Sequence, residues 1–416
     1  MNLNGFRDAE FLEQLDEKEY TEMIKDNMKN APFEIRDYQD KAVRAALKYH
    51  KGILLSCTSS GKSLMIYNAI RCIRKKDYNH ILLIVPNIML VDQMYDDFKD
   101  YGYDNIDDEV ERLGGGHEAT FDKPVLISTW QSLQNKDAEF FEKYSAVFVD
   151  EVHGVKANVM TKLMKWCVNA YYKIGTTGTL PNDKCDLLQI REVVGDVIFE
   201  LKSKELIDAG VLTKIKIANI IAKYPAEFIK KNKGRSYPEE VKMVEEYQDR
   251  NKVLELILSH TDPKHNILIL MNHLKHVKLI QEWLEEKYTD KKVSVITGAV
   301  SGSERSQIRT GIENEDGTIL LATYATMSTG VNMPKLHDVI LYANSKSKIK
   351  VLQSIGRGLR KHKTKNQIIL YDVIDDLTYQ TSRGRLVENY LIKHWKERMN
   401  YYKEQEFPVI NTSINI

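Results

Sequence analysis

Short apolar runs alternate with longer segments of helical periodicity along most of the chain. One group of apolar runs occupies residues 52–56, 81–86, 125–129, 146–151 and 171–178, and a second group occupies residues 266–271, 292–298, 317–323, 338–343 and 367–374. After the first run, apolar residues recur at helical spacing from Leu64 to Ile73. Strands that alternate with helices form βαβ units, and continuously apolar strands are buried on both faces. The pattern therefore predicts an α/β protein with two parallel sheets in tandem.

The same rhythm predicts where the chain divides. The predicted parts are an N-terminal helical extension, a first lobe, a second lobe and a C-terminal helical extension, at residues 1–30, 31–204, 205–376 and 377–416. The C-terminal part is predicted to be helical because Leu386, Tyr390 and Trp395 fall on one face of a helix over residues 385–402. The most linker-like stretch, residues 230–242, lies inside the second lobe.

Composition narrows the class of protein. The 416 residues carry 60 Lys and Arg against 59 Asp and Glu, so the formal net charge is +1. This balance excludes a wholly basic binder, but an enzyme of nucleic acids needs only a basic groove. Four scattered cysteines predict neither a disulfide framework nor a zinc site. Because the longest apolar run is far too short to span a membrane and the N-terminus is acidic, we expect a cytoplasmic monomer without membrane contact.

A phosphate-binding loop follows the first predicted strand. The segment SCTSSGKS (56–63) lies between that strand and a helical segment, which is the context that a P-loop requires. In such a loop, backbone N–H groups and the helix N-terminus point at phosphate oxygens. Gly61 allows close approach of the backbone, Lys62 reaches the β- and γ-phosphates, and the hydroxyl of Ser63 is placed to bind Mg²⁺. The nucleotide-binding residues predicted in the loop are Thr58, Ser59, Ser60, Gly61, Lys62 and Ser63.

Two adjacent carboxylates end the predicted strand at residues 146–151. Ligands of open parallel sheets bind at the carboxyl ends of the strands. We expect Asp150 to hold Mg²⁺, directly or through water, and Glu151 to orient and deprotonate the attacking water. Because the pair follows a P-loop in the chain, nucleotide hydrolysis is the expected chemistry.

His153 completes the tetrad DEVH, which resembles the DExH signature of superfamily 2 helicases. Another segment, QSIGRGLR (353–360), resembles the QxxGRxxR motif of that superfamily. Two arginines three residues apart share one face of a helix, so Arg357 and Arg360 are expected to reach the γ-phosphate as arginine fingers. The resemblance implies two RecA-like lobes in tandem, with ATP and Mg²⁺ bound in a cleft between them.

Further segments resemble elements of the superfamily that bind adenine, couple the nucleotide to nucleic acid, or contact the strand. They include IRDYQ (35–39), TTGTL (176–180), where many relatives have Ser-Ala-Thr, and ATYATMSTGVNMP (322–334). The resemblance implies further ATP-binding residues at Arg36, Gln39, Gly330 and Asn332, and coupling residues at His153, Thr177, Thr179 and Gln353. It also implies contacts to the nucleic acid at Asn87, Gln93, Thr129, Trp130, Thr323, Thr329, Lys346 and Lys348.

Longer stretches are similar to the UvsW-type family of phage helicases. Two of them are RLGGGHEA (112–119) and KSKIKVLQSIGRGLRKH (346–362). The family comprises ATP-dependent motors that unwind forks and drive branch migration. The resemblance implies a DNA helicase or translocase that acts on branched DNA in recombination, repair or replication, in the host cytoplasm if the protein is encoded by a phage. One departure is that only residues 1–34 precede IRDYQ, where the family carries an additional small DNA-binding domain.

Other functions stay open at this stage. The same motifs fit an RNA helicase or RNA-stimulated ATPase, because these motors often contact phosphate and sugar. They also fit a non-unwinding ATPase subunit of a larger nucleic-acid-processing complex. A nucleotide switch that binds no nucleic acid would require the arginine helix to be a coincidence. Asp372, Asp375 and Asp376 offer carboxylates for a metal, against a role in capping and turns.

Overall fold

The computed structural model describes residues 16–416, apart from residues 77, 79, 155–156, 182, 299, 301, 328–332, 334 and 344–361. The chain divides into two compact units between Lys202 and Ser203, within two residues of the predicted boundary between the lobes. Among the described residues, no helix has both the length and the apolar character needed to cross a membrane.

The first unit is built on a sheet of seven parallel strands. They are β1 (Lys51–Ser56), β2 (Ile81–Val85), β3 (Val110–Leu113), β4 (Val125–Thr129), β5 (Ala146–Val149), β6 (Tyr172–Thr177) and β7 (Val197–Leu201). Their spatial order is β3-β4-β2-β5-β6-β1-β7, and every neighbouring pair is parallel. All five strands predicted for this lobe are present, and the two edge strands β3 and β7 are additional.

Helices cover both faces of this sheet. They are α1 (Glu17–Asn27), α2 (Asp37–Tyr49), α3 (Lys62–Lys75), α4 (Ile88–Asp100), α5 (Ile106–Glu109), α6 (Trp130–Leu133), α7 (Ala138–Glu142), α8 (Ala157–Trp166) and α9 (Lys184–Val194). Alternate residues of β2 enter two separate hydrophobic clusters, with Leu83 packed beneath α1 to α4 and Leu82 beneath α7 to α9. Since strands buried on both faces have no polar side, this explains the continuously apolar runs in the sequence.

Helix α1 belongs to the first unit and is not a separate extension. Tyr20 and Ile24 on its inner face are buried in the first cluster. The hydroxyl of Tyr67 in α3 donates a hydrogen bond to the backbone carbonyl of Asn27, at 2.9 Å. The described part of the predicted N-terminal extension therefore stabilises the lobe that carries the P-loop.

The second unit repeats the architecture. Its sheet contains β8 (Lys214–Lys223), β9 (Ile267–Met271), β10 (Val293–Ile296), β11 (Ile319–Thr323), β12 (Asp338–Leu341), β13 (Gln367–Asp376) and, after the short strands β14 (Tyr379–Gln380) and β15 (Leu386–Val387), the last strand β16 (Val409–Asn415). The spatial order is β10-β11-β9-β12-β13-β8-β16, again with all neighbours parallel, whereas β14 and β15 form a separate antiparallel hairpin. The helices are α10 (Ser203–Asp208), α11 (Ala226–Lys231), α12 (Tyr237–Glu246), α13 (Asn251–Ser259), α14 (Leu274–Lys287), α15 (Gly302–Asn314), α16 (Tyr324–Met327) and α17 (Tyr390–Glu404).

The C-terminal segment is more than the helix that the sequence predicts. Helix α17 is present, but it begins at Tyr390 because residues 386–387 form β15. After α17 the chain returns to the sheet, where β16 pairs in parallel with β8. The prediction of a wholly helical tail is therefore incomplete, since the tail also supplies an edge strand of the second sheet.

The carboxylates at the end of β13 serve buried ion pairs. Asp372 accepts hydrogen bonds from Nε and Nη2 of Arg398 in α17, at 2.8 and 2.9 Å. Asp375 accepts one from Nε of Arg250, at 2.7 Å. Asp376 is the member with a turn role, because it accepts a hydrogen bond from the backbone N–H of Thr378 at 3.0 Å. No group of metal-ligating side chains was found among the described residues, and these pairs fasten helices to the sheet.

Candidate active site

The P-loop joins β1 to α3 in a conformation that requires glycine. Gly61 precedes the first residue of α3 and has φ +83°, which is a left-handed conformation. A Cβ at this position would clash with Nε2 of Gln39. Gly61, the N-cap residue of α3, has no side chain that could cap the helix, and within the first turn the N–H of Leu64 bonds the carbonyl of Gly61 at 3.1 Å. The N–H groups of Lys62 and Ser63 have no partner within the helix. An uncapped N-terminus of a 14-residue helix provides the donors and the dipole that a phosphate group needs.

Gln39 supports the loop from the side. Its Nε2 donates a hydrogen bond to the backbone carbonyl of Ser60 at 2.9 Å, and its Oε1 accepts one from the backbone N–H of Arg36 at 3.0 Å. The hydroxyl of Tyr38 donates to the same carbonyl, at 3.1 Å. Gln39 is only 2% exposed, so in this structure its amide binds the protein chain and not an open pocket. A contact from Gln39 to adenine remains a prediction.

The two carboxylates lie directly after β5, as predicted. Asp150 is buried, and its Oδ1 accepts a hydrogen bond from the hydroxyl of Thr176 at 2.7 Å. Glu151 adopts φ +49°, which is unusual for a residue other than glycine. Oε1 of Glu151 lies 3.5 Å from Nζ of Lys62. The same Nζ contacts the backbone carbonyl of Ser56 at 3.4 Å. The carboxyl ends of β1, β5 and β6 thus bring the P-loop lysine and both carboxylates together.

The pKa values of the two carboxylates are shifted in opposite directions. Burial, followed by repulsion from Glu151, raises the pKa of Asp150 to about 6, although Lys62 and Thr176 oppose this. Burial also acts to raise the pKa of Glu151, but the charge of Lys62 and a hydrogen bond from the backbone N–H of Gly178 outweigh it, and that pKa is lowered. The buried Asp150 and the half-buried Glu151 thus face one ammonium group. The uncompensated negative charge suits a divalent cation, and Asp150 is the group that would bind it.

His153 and Thr177 connect the carboxylates to the segment after β6. Nδ1 of His153 lies 2.6 Å from the hydroxyl oxygen of Thr177, and the same hydroxyl lies 3.3 Å from Oε2 of Glu151. The carbonyl of Thr179 lies 2.8 Å from the same hydroxyl. Burial lowers the pKa of His153, so the imidazole is neutral near pH 7. The structure therefore brings together three of the residues expected to couple the nucleotide to nucleic acid.

Ser63 has a partner that sequence reasoning missed. Its hydroxyl lies 2.7 Å from the hydroxyl of Tyr101, at the end of α4. If the serine donates its proton to Tyr101, its lone pairs remain available to a cation. Thr176 and Tyr38 were also missed. The only available sequence signal for Thr176 was its position next to Thr177, whereas nothing in the pattern indicated Tyr101.

Three residues expected to contact nucleic acid share a position in the fold. Asn87, Thr129 and Thr323 each follow or end a strand at its carboxyl end. The side chains of Asn87 and Thr129 accept hydrogen bonds from the N–H groups of Leu90 and Ser132, at 3.1 and 3.2 Å, and so cap α4 and α6. Thr323 accepts one from the N–H of Thr326 at the start of α16, at 3.3 Å. They position helix N-termini, which are themselves suited to phosphate contacts.

The other residues predicted to contact nucleic acid differ in their exposure. Gln93 is exposed on α4, whereas Trp130 is half-buried against the second hydrophobic cluster of the first unit. A set of predicted residues lies outside the described part of the chain, namely Thr329, Gly330, Asn332, Lys346, Lys348, Gln353, Arg357 and Arg360. Their roles stay predictions, as does the placement of ATP between the two lobes.

Comparisons with known proteins identify the family of this chain. Residues 32–182 match the family model described as type III restriction enzyme, res subunit, and residues 248–362 match the helicase conserved C-terminal domain. The chain is 32% identical over 389 residues to the ATP-dependent DNA helicase uvsW of Enterobacteria phage T4, covering 91% of this chain and 77% of that protein. It is 23% identical over 400 residues to the DNA 3'-5' translocase XPB2 of Sulfurisphaera tokodaii, covering 87% and 86%.

Solved structures of more distant proteins share the fold. A type ISP restriction-modification enzyme, LlaBIII bound to DNA, matches 93% of this chain and 32% of its own at 14% identity, with a TM-score of 0.68. Dbp5 of S. cerevisiae, bound to RNA and ADP BeF3, matches 95% of this chain and 93% of its own at 12% identity, with a TM-score of 0.59. The two parallel sheets are those of RecA-like lobes. The chain belongs to the superfamily 2 helicases, in the family of the phage T4 helicase uvsW.

Proposed function

We propose that this protein is an ATP-dependent DNA helicase or translocase that acts on branched DNA. The observation that carries the proposal is the chain of polar contacts from Lys62 through Glu151 and Thr177 to His153. It links a phosphate-binding lysine and a half-buried carboxylate base to a coupling segment within one lobe. The preference for branched DNA rests on the similarity to uvsW. A monomer that acts in the cytoplasm fits, because both sets of motor motifs lie on one chain.

Hydrolysis needs a group that orients water and accepts its proton. Glu151 fits this role because its lowered pKa keeps it ionised at neutral pH. Lys62 is placed to bind the β- and γ-phosphates of ATP beside it, and the uncapped N-terminus of α3 adds backbone donors. A Mg²⁺ ion held by Asp150 and Ser63 would supply positive charge to the phosphate oxygens during hydrolysis. Arg357 and Arg360 are the predicted arginine fingers.

Steady-state ATP hydrolysis at one salt concentration tests the proposal. The reactions contain no nucleic acid, single-stranded DNA, forked DNA, a four-way junction or single-stranded RNA, with Glu151→Gln as the blank. We expect the greatest stimulation with forks and junctions, and strand displacement from a fork by the parent protein. Glu151→Gln should still bind ATP but lose hydrolysis by about 10²–10⁴-fold, because the base is removed.

Other outcomes would replace the proposal. Stimulation by RNA that equals or exceeds stimulation by DNA would favour an RNA helicase or an RNA-stimulated ATPase. Stimulation by forks without strand displacement would favour a non-unwinding motor subunit. A rate indifferent to every polymer would reject a motor on nucleic acid, and near-normal turnover by Glu151→Gln would reject the assignment of the base.

A further inference from the structure

A short, well-defined hairpin projects from the second unit after β13. The backbone N–H of Gly384 donates a hydrogen bond to the carbonyl of Thr381 at 2.9 Å, and the N–H of Arg385 donates to the hydroxyl of Thr381 at 3.1 Å. Gly384 has φ +73°, the left-handed conformation that closes a three-residue hairpin loop. The loop is held by its own hydrogen bonds, and it presents Arg383 and Arg385 to solvent.

A second basic segment lies against this hairpin. The stretch 230–242, which looked like a linker in sequence, consists of the end of α11, a turn and the start of α12. Nζ of Lys233 in the turn lies 4.6 Å from the centre of the Tyr379 ring in β14. A groove of about 220 Å³ separates the two segments, with Tyr390 and Lys393 of α17 on its wall.

The groove is lined by Lys233, Arg235 and Lys393 together with the carboxylates Glu240 and Glu388. We call the surface around it the basic groove, and its exposed cations are Lys230, Lys231, Lys233, Arg383, Arg385 and Lys393. Within the described residues, none of these six makes an ion pair with a carboxylate, although the chain as a whole is nearly neutral. Nearby acids are engaged elsewhere, since Glu388 pairs with Lys396 and Asp376 pairs with Lys223.

Apolar and aromatic side chains accompany the charge. Leu386 is 57% exposed and Tyr390 is 43% exposed. Exposed rings and aliphatic groups next to unpaired cations suit a single-stranded nucleic acid, because its bases stack on the former while its phosphates contact the latter. An acidic protein surface would pair with the cations but would offer no bases to stack on the rings.

The basic groove lies on the functional edge of the second sheet. Strands β8 and β13 are neighbours and end at Lys223 and Asp376, and α11 and the hairpin follow them directly. Thr323 ends β11 at the same edge, three strands away from β13. Since neighbouring strands are separated by about 4.8 Å, β13 lies roughly 14 Å from β11 across the sheet. The end of β13 at Asp376 extends past the level of Thr323 along the strand. Ligands of parallel sheets bind along this edge.

We propose that the basic groove binds the phosphate backbone of a single-stranded segment of the nucleic acid, extending the path beyond the contact predicted at Thr323. The inference rests on the proposed motor function and adds a binding surface to it. The groove supplies affinity without sequence preference, since its charged groups meet phosphates and its rings meet the faces of any base.

The test uses the full chain and the double variant Arg383→Ala/Arg385→Ala. Its control is Lys264→Ala/Lys363→Ala, which removes the same charge from exposed positions at the opposite edge of the sheet, before β9 and β13. Binding of a fluorescent single-stranded DNA is measured by anisotropy at several salt concentrations. We expect the hairpin variant to bind several-fold more weakly, with a salt slope reduced by about 1.4 for two lost phosphate contacts. The control should match the parent protein.

ATP hydrolysis distinguishes a variant that fails to fold from a variant that contradicts the proposal. Basal ATP hydrolysis without nucleic acid should be unchanged in both variants, which reports that the fold and nucleotide site are intact. If the hairpin variant loses it, Lys230→Ala/Lys231→Ala on α11 replaces that variant. Unchanged affinity and salt slope in an intact variant would overturn the basic groove but leave the motor function standing. A parent protein that binds no nucleic acid and is stimulated by none would overturn the proposed function itself.

Discussion

Nδ1 of His153 lies 2.6 Å from the hydroxyl oxygen of Thr177, although the two residues follow and end different strands. The hydroxyl has one proton, yet Glu151, the carbonyl of Thr179 and His153 all lie within its reach. If His153 carries its proton on Nδ1 and donates it, Thr177 is free to donate to Glu151 or to Thr179. If Nδ1 is unprotonated, Thr177 donates to the imidazole. The protonation of one ring nitrogen therefore decides which hydrogen bond the threonine makes.

Replacing Thr177 with valine should weaken hydrolysis and its coupling to DNA. The hydroxyl contacts the charged Glu151, and hydrogen bonds to charged groups contribute roughly 1.5–3 kcal/mol, so we expect a loss of about tenfold or more in the rate. The measurement compares steady-state hydrolysis with and without single-stranded DNA. Stimulation by DNA should fall more than the basal rate. Thr177→Ser, which keeps the hydroxyl, is the control, and equal rates for Val and Ser would contradict the role.

Tyr101→Phe should raise the Mg²⁺ concentration needed for half-maximal hydrolysis. The tyrosine holds the Ser63 hydroxyl at 2.7 Å, and loss of a group that orients a metal ligand typically weakens metal binding by about 10–100-fold. The measurement is a Mg²⁺ titration of the hydrolysis rate at saturating ATP.

Tyr103→Phe is the matched control for this titration. It removes a buried hydroxyl that donates to Glu109 at 2.8 Å, away from the P-loop. Superimposable titrations of Tyr101→Phe and the parent protein would indicate that Ser63 does not need the tyrosine to bind the metal.

Alanine should be tolerated at Gly178 but not at Gly61, although both glycines lie in the site. At Gly178 a new Cβ would lie 3.6–3.7 Å from Ser56, Thr58 and Lys62, which is ordinary contact. The backbone N–H that binds Glu151 is kept, so Gly178→Ala should hydrolyse ATP within about threefold of the parent, less than 1 kcal/mol. Gly61→Ala should lose most activity, because it clashes with Gln39 and adds about 1–2 kcal/mol of left-handed strain. Parallel hydrolysis assays and thermal melts would decide, and a larger loss at Gly178 would refute the comparison.

The sequence predicted the first lobe's core better than its edges. The buried strands β1, β2, β4, β5 and β6 were all predicted because both of their faces are apolar. Strand β3 was missed because VERL has no strand-like run, and in the second lobe the edge strand β16 was missed because VINTSIN is mostly exposed and polar. Such edge strands form because they pair with a neighbouring strand, and their own sequence does not indicate them.

The site shows the same limit. The P-loop and the DEVH tetrad were predictable because their chemistry requires particular residues at short spacing. Tyr101 and Thr176 were not, since each acts through one hydroxyl that only the tertiary structure brings to Ser63 or Asp150. For Asp372 and Asp375 the sequence offered only a metal site or a capping and turn role, because their arginine partners are distant in the chain.

Asp150→Asn should stabilise the metal-free protein at neutral pH while it removes hydrolysis. The pKa of Asp150 is raised from 3.8 to about 6, so the folded state holds its proton more tightly than the unfolded state does. Stability from this group is complete below pH 4 and is lost as the pH rises through 6, by roughly 3 kcal/mol. Melting temperatures in EDTA between pH 5 and 8 test this. The variant's advantage should grow from pH 5 to about 7 and then stay level, and an advantage confined to acid would contradict the assignment.

Arg398→Ala should destabilise the second unit strongly. The guanidinium pairs with Asp372 where both side chains are 1% exposed, and Tyr402 donates to the same carboxylate at 2.8 Å. Removing the arginine leaves a buried carboxylate without its counter-charge, which typically costs about 3–5 kcal/mol. Lys396→Ala on the same helix breaks only an exposed pair with Glu388 and should cost at most about 1 kcal/mol. Urea unfolding followed by circular dichroism compares them, and equal midpoints would show that the buried pair does not hold α17 to the sheet.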